Sequence, residues 1–111
     1  MSERRRATRK PVGDRLTVTD SMTGEVMGVV GNLSHDGVLL ILNRAVQSDT
    51  LYQVQFRIPD GFGHEPIEVG IHEQWTEPMR QGRGGGEYWA GFRIIDIAPA
   101  DRERLVAFVG E

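Results

Sequence analysis

Tyr52-Gln53-Val54-Gln55-Phe56-Arg57-Ile58 alternates apolar and polar side chains along its whole length. Successive side chains of an extended chain point to opposite faces. The stretch therefore reads as a half-buried strand, with Tyr52, Val54, Phe56 and Ile58 on the dry face and Gln53, Gln55 and Arg57 on the wet one. The same period recurs on either side of it. Leu16-Thr17-Val18-Thr19 predicts a first strand, and Asp20-Ser21-Met22-Thr23-Gly24 is a turn by composition. Residues 25–31, with Val26, Val29 and Val30, predict a second strand. Val38-Leu39-Leu40-Ile41-Leu42 is continuously apolar, which predicts a strand buried on both faces. Pro59-Asp60-Gly61-Phe62-Gly63 breaks the pattern. Beyond it, Ile67, Val69, Ile71 and Trp75 are expected on one strand face, and Tyr88, Ala90, Phe92 and Ile94 on the next.

The tail changes period. Pro99 suits a first helical turn, where its missing N–H would be unpaired anyway. Asp101 and Glu103 favour the positive end of a helix, Leu105, Phe108 and Val109 recur at helical spacing, and Gly110 can stop it. About six short strands with no helix between them predict an all-β, antiparallel barrel, whose closure removes exposed sheet edges. The expected organisation is a flexible basic arm over residues 1–15, a barrel over 16–97 and a short C-terminal α-helix over 98–111. Gln81-Gly82-Arg83-Gly84-Gly85-Gly86 reads as a flexible hairpin loop. It is no phosphate loop, because a strand rather than a helix follows it.

At 111 residues the chain fits one domain with one modest core. It has no cysteine, so disulfides and thiolate metal sites are excluded. No apolar run approaches the roughly 20 residues of a membrane span, and the basic N-terminus lacks the apolar stretch of a signal peptide. A cytoplasmic protein without membrane insertion is the expectation. The net charge is −3, yet residues 1–15 hold six basic and two acidic residues, +4, so the rest carries −7. A basic arm on an acidic body points to a local anion site rather than a broad nucleic-acid surface. A solubilising or targeting tail is the plainer alternative.

Two motifs carry chemistry. Arg4-Arg5-Arg6-Ala7-Thr8-Arg9 puts four guanidiniums in six residues. Each is a planar fork of donors that pairs bidentately with phosphate or with the O6 and N7 edge of guanine, and can stack on a base. Asn32-Leu33-Ser34-His35-Asp36-Gly37 follows as a compact polar turn between apolar stretches. The Asn32 carbonyl can accept from guanine N–H groups and the Ser34 hydroxyl can donate to phosphate or base. Positions i and i+2 of an extended chain point the same way, so the two can share a face. Gly37 either takes a positive φ or lets a ligand approach the backbone. Such residues are also ordinary turn formers. Together the two motifs suit a small, doubly charged, guanine-bearing ligand.

Other constellations are poorer. His35-Asp36, His64-Glu65 and His72-Glu73 pair neighbours that point to opposite strand faces, so no metal site is expected. Ser34 beside His35 is no nucleophile–base pair for the same reason, and no catalytic residue is assigned. Trp75 and Trp89 fit core or rim packing better than a stacking platform.

The chain resembles a single-domain PilZ protein over nearly its whole length. Arg4, Arg5 and Arg9 match that family's RRxxxR motif, and Asn32, Ser34 and Gly37 match [D/N]xSxxG, in the family's order. The resemblance implies a six-stranded antiparallel β-barrel with a helix packed near its end. It also implies a bacterial receptor for cyclic di-GMP that is not an enzyme, needs no cofactor and signals to a downstream protein partner, with no DNA or RNA involved. By the same resemblance Arg4, Arg5 and Arg9 wrap the ligand, Asn32, Ser34 and Gly37 read a guanine, and Trp75 lies beside it; Arg6 is at a variable position. Asn32 stands where many relatives have Asp and accepts fewer charge-assisted bonds, which implies weaker binding. Two alternatives are a PilZ-fold adaptor that works through a protein partner without the nucleotide, and a small barrel that binds single-stranded nucleic acid through its arm.

Overall fold

The strands form where period-two patterning is strongest. In the computed structural model, which describes residues 10–11, 16–59, 65–79 and 87–110, they are β1 (Lys10–Pro11), β2 (Thr17–Asp20), β3 (Val26–Leu33), β4 (Gly37–Leu42), β5 (Leu51–Phe56), β6 (Ile67–Pro78) and β7 (Tyr88–Ile97), followed by helix α1 (Pro99–Val109). Six of them close a ring in the order β3, β2, β5, β6, β7, β4 and back to β3, with every pairing antiparallel. The expected six-stranded barrel is therefore the fold. The two-residue β1 adds to β3 on the side that β2 uses further along, with Lys10 opposite Leu33 and Pro11 opposite Asn32. The expected glycine-rich loop at 81–86 and the break at 60–63 lie outside the described residues, as do Arg4, Arg5, Arg6 and Arg9. The hairpin that carries the glycine-rich segment is closed by Met79 N–H donating to the Glu87 carbonyl at 3.0 Å.

Inside the ring the inward side chains form a single core, including Val18, Leu40, Val54, Ile71 and Phe92. Tyr52 meets Phe92 edge to face, with ring centroids 6.2 Å apart. The turn after β2 is held by Gly24 N–H to the Asp20 carbonyl at 2.8 Å, with Gly24 at φ 79°, a conformation that favours glycine. Pro99 opens α1 and Gly110, at φ 83°, ends it by donating to the Val106 carbonyl at 3.1 Å. Leu105 and Val109 are buried in the barrel core, and Asp101 Oδ2 accepts from Glu68 N–H of β6 at 3.2 Å. The helix thus covers part of the barrel, as its spacing suggested.

Two expectations need correction. Within the apolar run of β4, Val38, Leu40 and Leu42 are fully buried, while Leu39 and Ile41 are half-buried. A barrel has one interior, so the second face of an apolar strand is covered only by neighbouring side chains. In β6, Ile67, Val69 and Ile71 are fully buried but Trp75 is 45% exposed. Glu73 pairs with Phe92 and Trp75 with Gly91, the next residue along β7, so Gln74 is an extra residue without a partner. One extra residue exchanges the faces of everything after it.

Candidate ligand-binding face

A second bulge does for β3 what Gln74 does for β6. Val30 pairs with Leu40 and Asn32 with Leu39, which leaves Gly31 as the extra residue. Val30 points into the core. Without Gly31 the alternation would send Asn32 inward as well. With it, Leu33 takes the inward position at 0% exposure and Asn32 stays half-buried on the outside. Two single-residue insertions therefore turn two expected site residues, Asn32 and Trp75, onto the outer surface. Bulges commonly re-aim side chains at functional sites in this way.

The register lines these residues up. Pro11 is opposite Asn32, Asn32 opposite Leu39, Leu39 opposite Gly91, and Gly91 opposite Trp75. Asn32 and Trp75 are thus three strand spacings apart, about 14 Å around the wall. Gly91 has no side chain, and the Trp75 indole occupies the space above it. A Cβ on Gly91 would lie 2.4 Å from Trp75 Nε1 and 2.6 Å from Cε2. The ring therefore leans across β7 toward Leu39. Leu39 in turn lies against Gly31, where a Cβ would meet its Cδ2 at 3.4 Å. The outcome is an outer strip with an amide at one end, an indole at the other and an aliphatic floor between them. Arg93, two residues after Gly91 on the same face, is exposed and pairs across to Gly37 and His72.

The turn after β3 is a closed unit. Ser34 N–H donates to the Gly37 carbonyl at 2.9 Å, and Ser34 Oγ lies 2.9 Å from Asp36 Oδ1 and 3.3 Å from the Gly37 carbonyl. The Asp36 carbonyl accepts from Ile94 N–H at 2.9 Å, which ties the turn to β7. Ser34 is 1% exposed, so it does not share an open face with Asn32. The i, i+2 rule fails because Ser34 has already left the strand and serves the turn. Gly37 does not have a positive φ. A Cβ there would meet the Phe92 carbonyl at 3.2 Å and Ser34 Oγ at 3.6 Å, so its small size lets β4 start close against β7.

Of the expected site residues, Asn32 and Trp75 share the strip, Ser34 and Gly37 form the turn at its β3 end, and Arg4, Arg5 and Arg9 lie outside the described residues. Lys10, which Arg9 immediately precedes, pairs with Leu33. The last arginine of the first motif is therefore attached one residue, about 3.8 Å, from a backbone that runs beside the second motif. Sequence reading missed Gly91 and Arg93. Neither carries a motif, and only the register brings them beside Trp75. Among the described residues no group of three or more His, Cys, Asp or Glu could hold a metal ion, and no helix is long and apolar enough to cross a membrane.

Comparisons with known proteins agree with the fold. The model of the PilZ domain family matches residues 3–111. No curated protein matches the sequence. Among solved structures, the inhibitor of motility MotI/DgrA of Bacillus subtilis superposes with a TM-score of 0.77 at 18% identity, over 96% of this chain and 49% of that one. The chain thus spans about half the length of MotI. The PilZ domain of YcgR from Escherichia coli, solved with c-di-GMP, superposes with a TM-score of 0.70 at 15% identity, over 96% of this chain and 89% of that one.

Proposed function

The chain belongs to the PilZ domain family, and on that footing we propose that it is a non-enzymatic receptor for cyclic di-GMP. The observation that carries the reading is the pairing of Lys10 and Pro11 with Leu33 and Asn32. It tethers the arginine segment to the end of β3 that holds the second motif, so two clusters far apart in sequence can reach one ligand. YcgR, whose PilZ domain was solved with c-di-GMP, shares the fold.

In this reading Arg4, Arg5 and Arg9 pair with the two phosphates and the guanine edges. Asn32 accepts from guanine N–H groups. Trp75 offers a ring face to a base, and Leu39 and Gly91 leave the floor between them flat. Ser34 and Gly37 hold the turn that sets Asn32, and Arg93 adds a cation on the same face. The strip, about 14 Å long, suits a ligand with two bases. Capturing it would fix the arginine segment against the barrel. That changes the charge and shape presented to a downstream protein partner in the cytoplasm, which is how a domain with no catalytic output can signal.

Calorimetric titration of cyclic di-GMP into the wild type and Arg5→Ala, with GTP and cyclic GMP as controls, tests the reading. Selective binding that is lost in Arg5→Ala is the expected result. A wild type silent at tens of micromolar would sink it and favour an adaptor that works through its partner alone.

A further inference from the structure

Glu73 is a buried acid that takes no part in the ligand reading above. It is 4% exposed and points to the inside of the barrel, opposite Phe92. Its Oε1 accepts from Asp49 N–H at 2.7 Å and its Oε2 accepts from Thr76 Oγ1 at 2.6 Å, while its own N–H donates to the Thr50 carbonyl at 3.0 Å. Thr76 lies on the far side of the Gln74 bulge, so one carboxylate spans the insertion from its first flank to its second. Asp49 is held from both ends. Its φ of 57° is the positive value found outside glycine among the described residues, and its Oδ1 lies 2.5 Å from His72 Nε2. Gln74 Nε2 donates to the His72 carbonyl at 3.2 Å.

We propose that Glu73 is a positioning residue for Trp75: its carboxylate fastens the Gln74 bulge from inside the barrel and so keeps the indole on the outer face. An apolar side chain could fill the same space. Spanning the insertion takes a side chain with two hydrogen-bonding terminal atoms, one accepting from Asp49 N–H and the other bonded to the Thr76 hydroxyl. Burying a carboxylate costs free energy unless its oxygens are satisfied, and here both are. Without the fastening, the extra residue can move along β6. Each one-residue step of the bulge exchanges the faces of the residues it passes, Trp75 first among them. The bulge is thus a register switch that Glu73 sets in one position. The proposal deepens the ligand reading, since it takes Trp75 to belong to the ligand face.

The experiment uses the full chain carrying Trp89→Phe, so that Trp75 is the single remaining indole. Glu73→Ala and Glu73→Gln are made in that background. Trp75 emission and its quenching by iodide are read without ligand, and cyclic di-GMP affinity is then titrated. Gln keeps one acceptor for Asp49 N–H and can donate to the Thr76 hydroxyl, so Glu73→Gln should match the parent in both readouts. Glu73→Ala should shift the emission, change the quenching and weaken binding about tenfold, the loss of one base–aromatic stack. A folded Glu73→Ala protein with parental emission and quenching overturns the proposal. If Glu73→Ala does not fold, Thr76→Val removes one fastening bond from its other end, and unchanged Trp75 quenching there overturns it equally. A parent that binds no cyclic di-GMP defeats the receptor reading instead, while the quenching of the unliganded variants still decides the role of Glu73.

Discussion

Replacing Gly91 with Ala should separate the ligand site from the stability of the barrel. The new Cβ would lie 2.4 Å from Trp75 Nε1, 2.6 Å from Cε2 and 3.0 Å from Cζ2. Ordinary contact between such atoms begins near 3.5 Å, so the indole must move by about 1 Å or more. The obstructed atoms are the far end of a half-exposed side chain, and Gly91 has no positive φ, so the backbone accepts alanine. Alanine stabilises a compatible site by about 0.4–1 kcal/mol through the unfolded chain. A displaced rotamer costs about 0.5–1.5 kcal/mol. The two nearly cancel, and the midpoint of thermal unfolding should move by less than about 8 °C for a domain of this size. Binding should not escape so lightly. If the indole stacks on a base, its displacement forfeits about 1–3 kcal/mol, a fivefold to hundredfold loss of affinity for cyclic di-GMP. Calorimetry reads the affinity, and Trp75 fluorescence in the Trp89→Phe background reads the displacement. Wild-type affinity with a displaced indole would refute a stacking role for Trp75. A loss of several kcal/mol of stability would refute the claim that Gly91 serves the site rather than the fold.

Arg5→Ala or Arg9→Ala should weaken ligand binding about tenfold to a hundredfold, the worth of one charge-assisted bond, and Arg6→Ala should weaken it less; equal losses for all three in calorimetry would indicate a nonspecific charge effect. Arg93→Ala should cost about threefold in affinity at low salt and little at high salt, as suits an exposed cation, which titration at two ionic strengths would show. Ser34→Ala should cost about 1 kcal/mol of stability by denaturant unfolding, because its buried hydroxyl bonds within the turn, whereas Asn32→Ala should reduce affinity more than stability. Leu105→Ala, at a fully buried position of α1, should destabilise the protein by about 2–5 kcal/mol in the same unfolding assay, with ligand affinity retained wherever the protein is still folded.

Much of the barrel was legible from local pattern. The turn ending at Gly24 and the helix opened by Pro99 and stopped by Gly110 appear as read, and the alternation in residues 52–58 gives a strand that ends at Phe56. These features depend on short-range rules: side-chain period, left-handed turns that favour glycine, and helix ends. The site was legible only as residue types. Asn32, Ser34, Gly37 and Trp75 were named, but Ser34 and Gly37 close the turn, and Trp75 was assigned to the wrong face.

The sequence by itself determined that the chain has strands, roughly where they lie, and that two polar motifs flank them in the order of a known family. Strand pairing decided the rest. Gly31 and Gln74 become bulges only because β4 and β7 fix the register opposite them, and nothing local marks either residue as extra. Gly91 makes room for an indole sixteen positions earlier only because β6 and β7 lie side by side. Which face a strand residue occupies depends on counting pairs across the sheet. That count is a property of the closed barrel and is absent from any single stretch of chain.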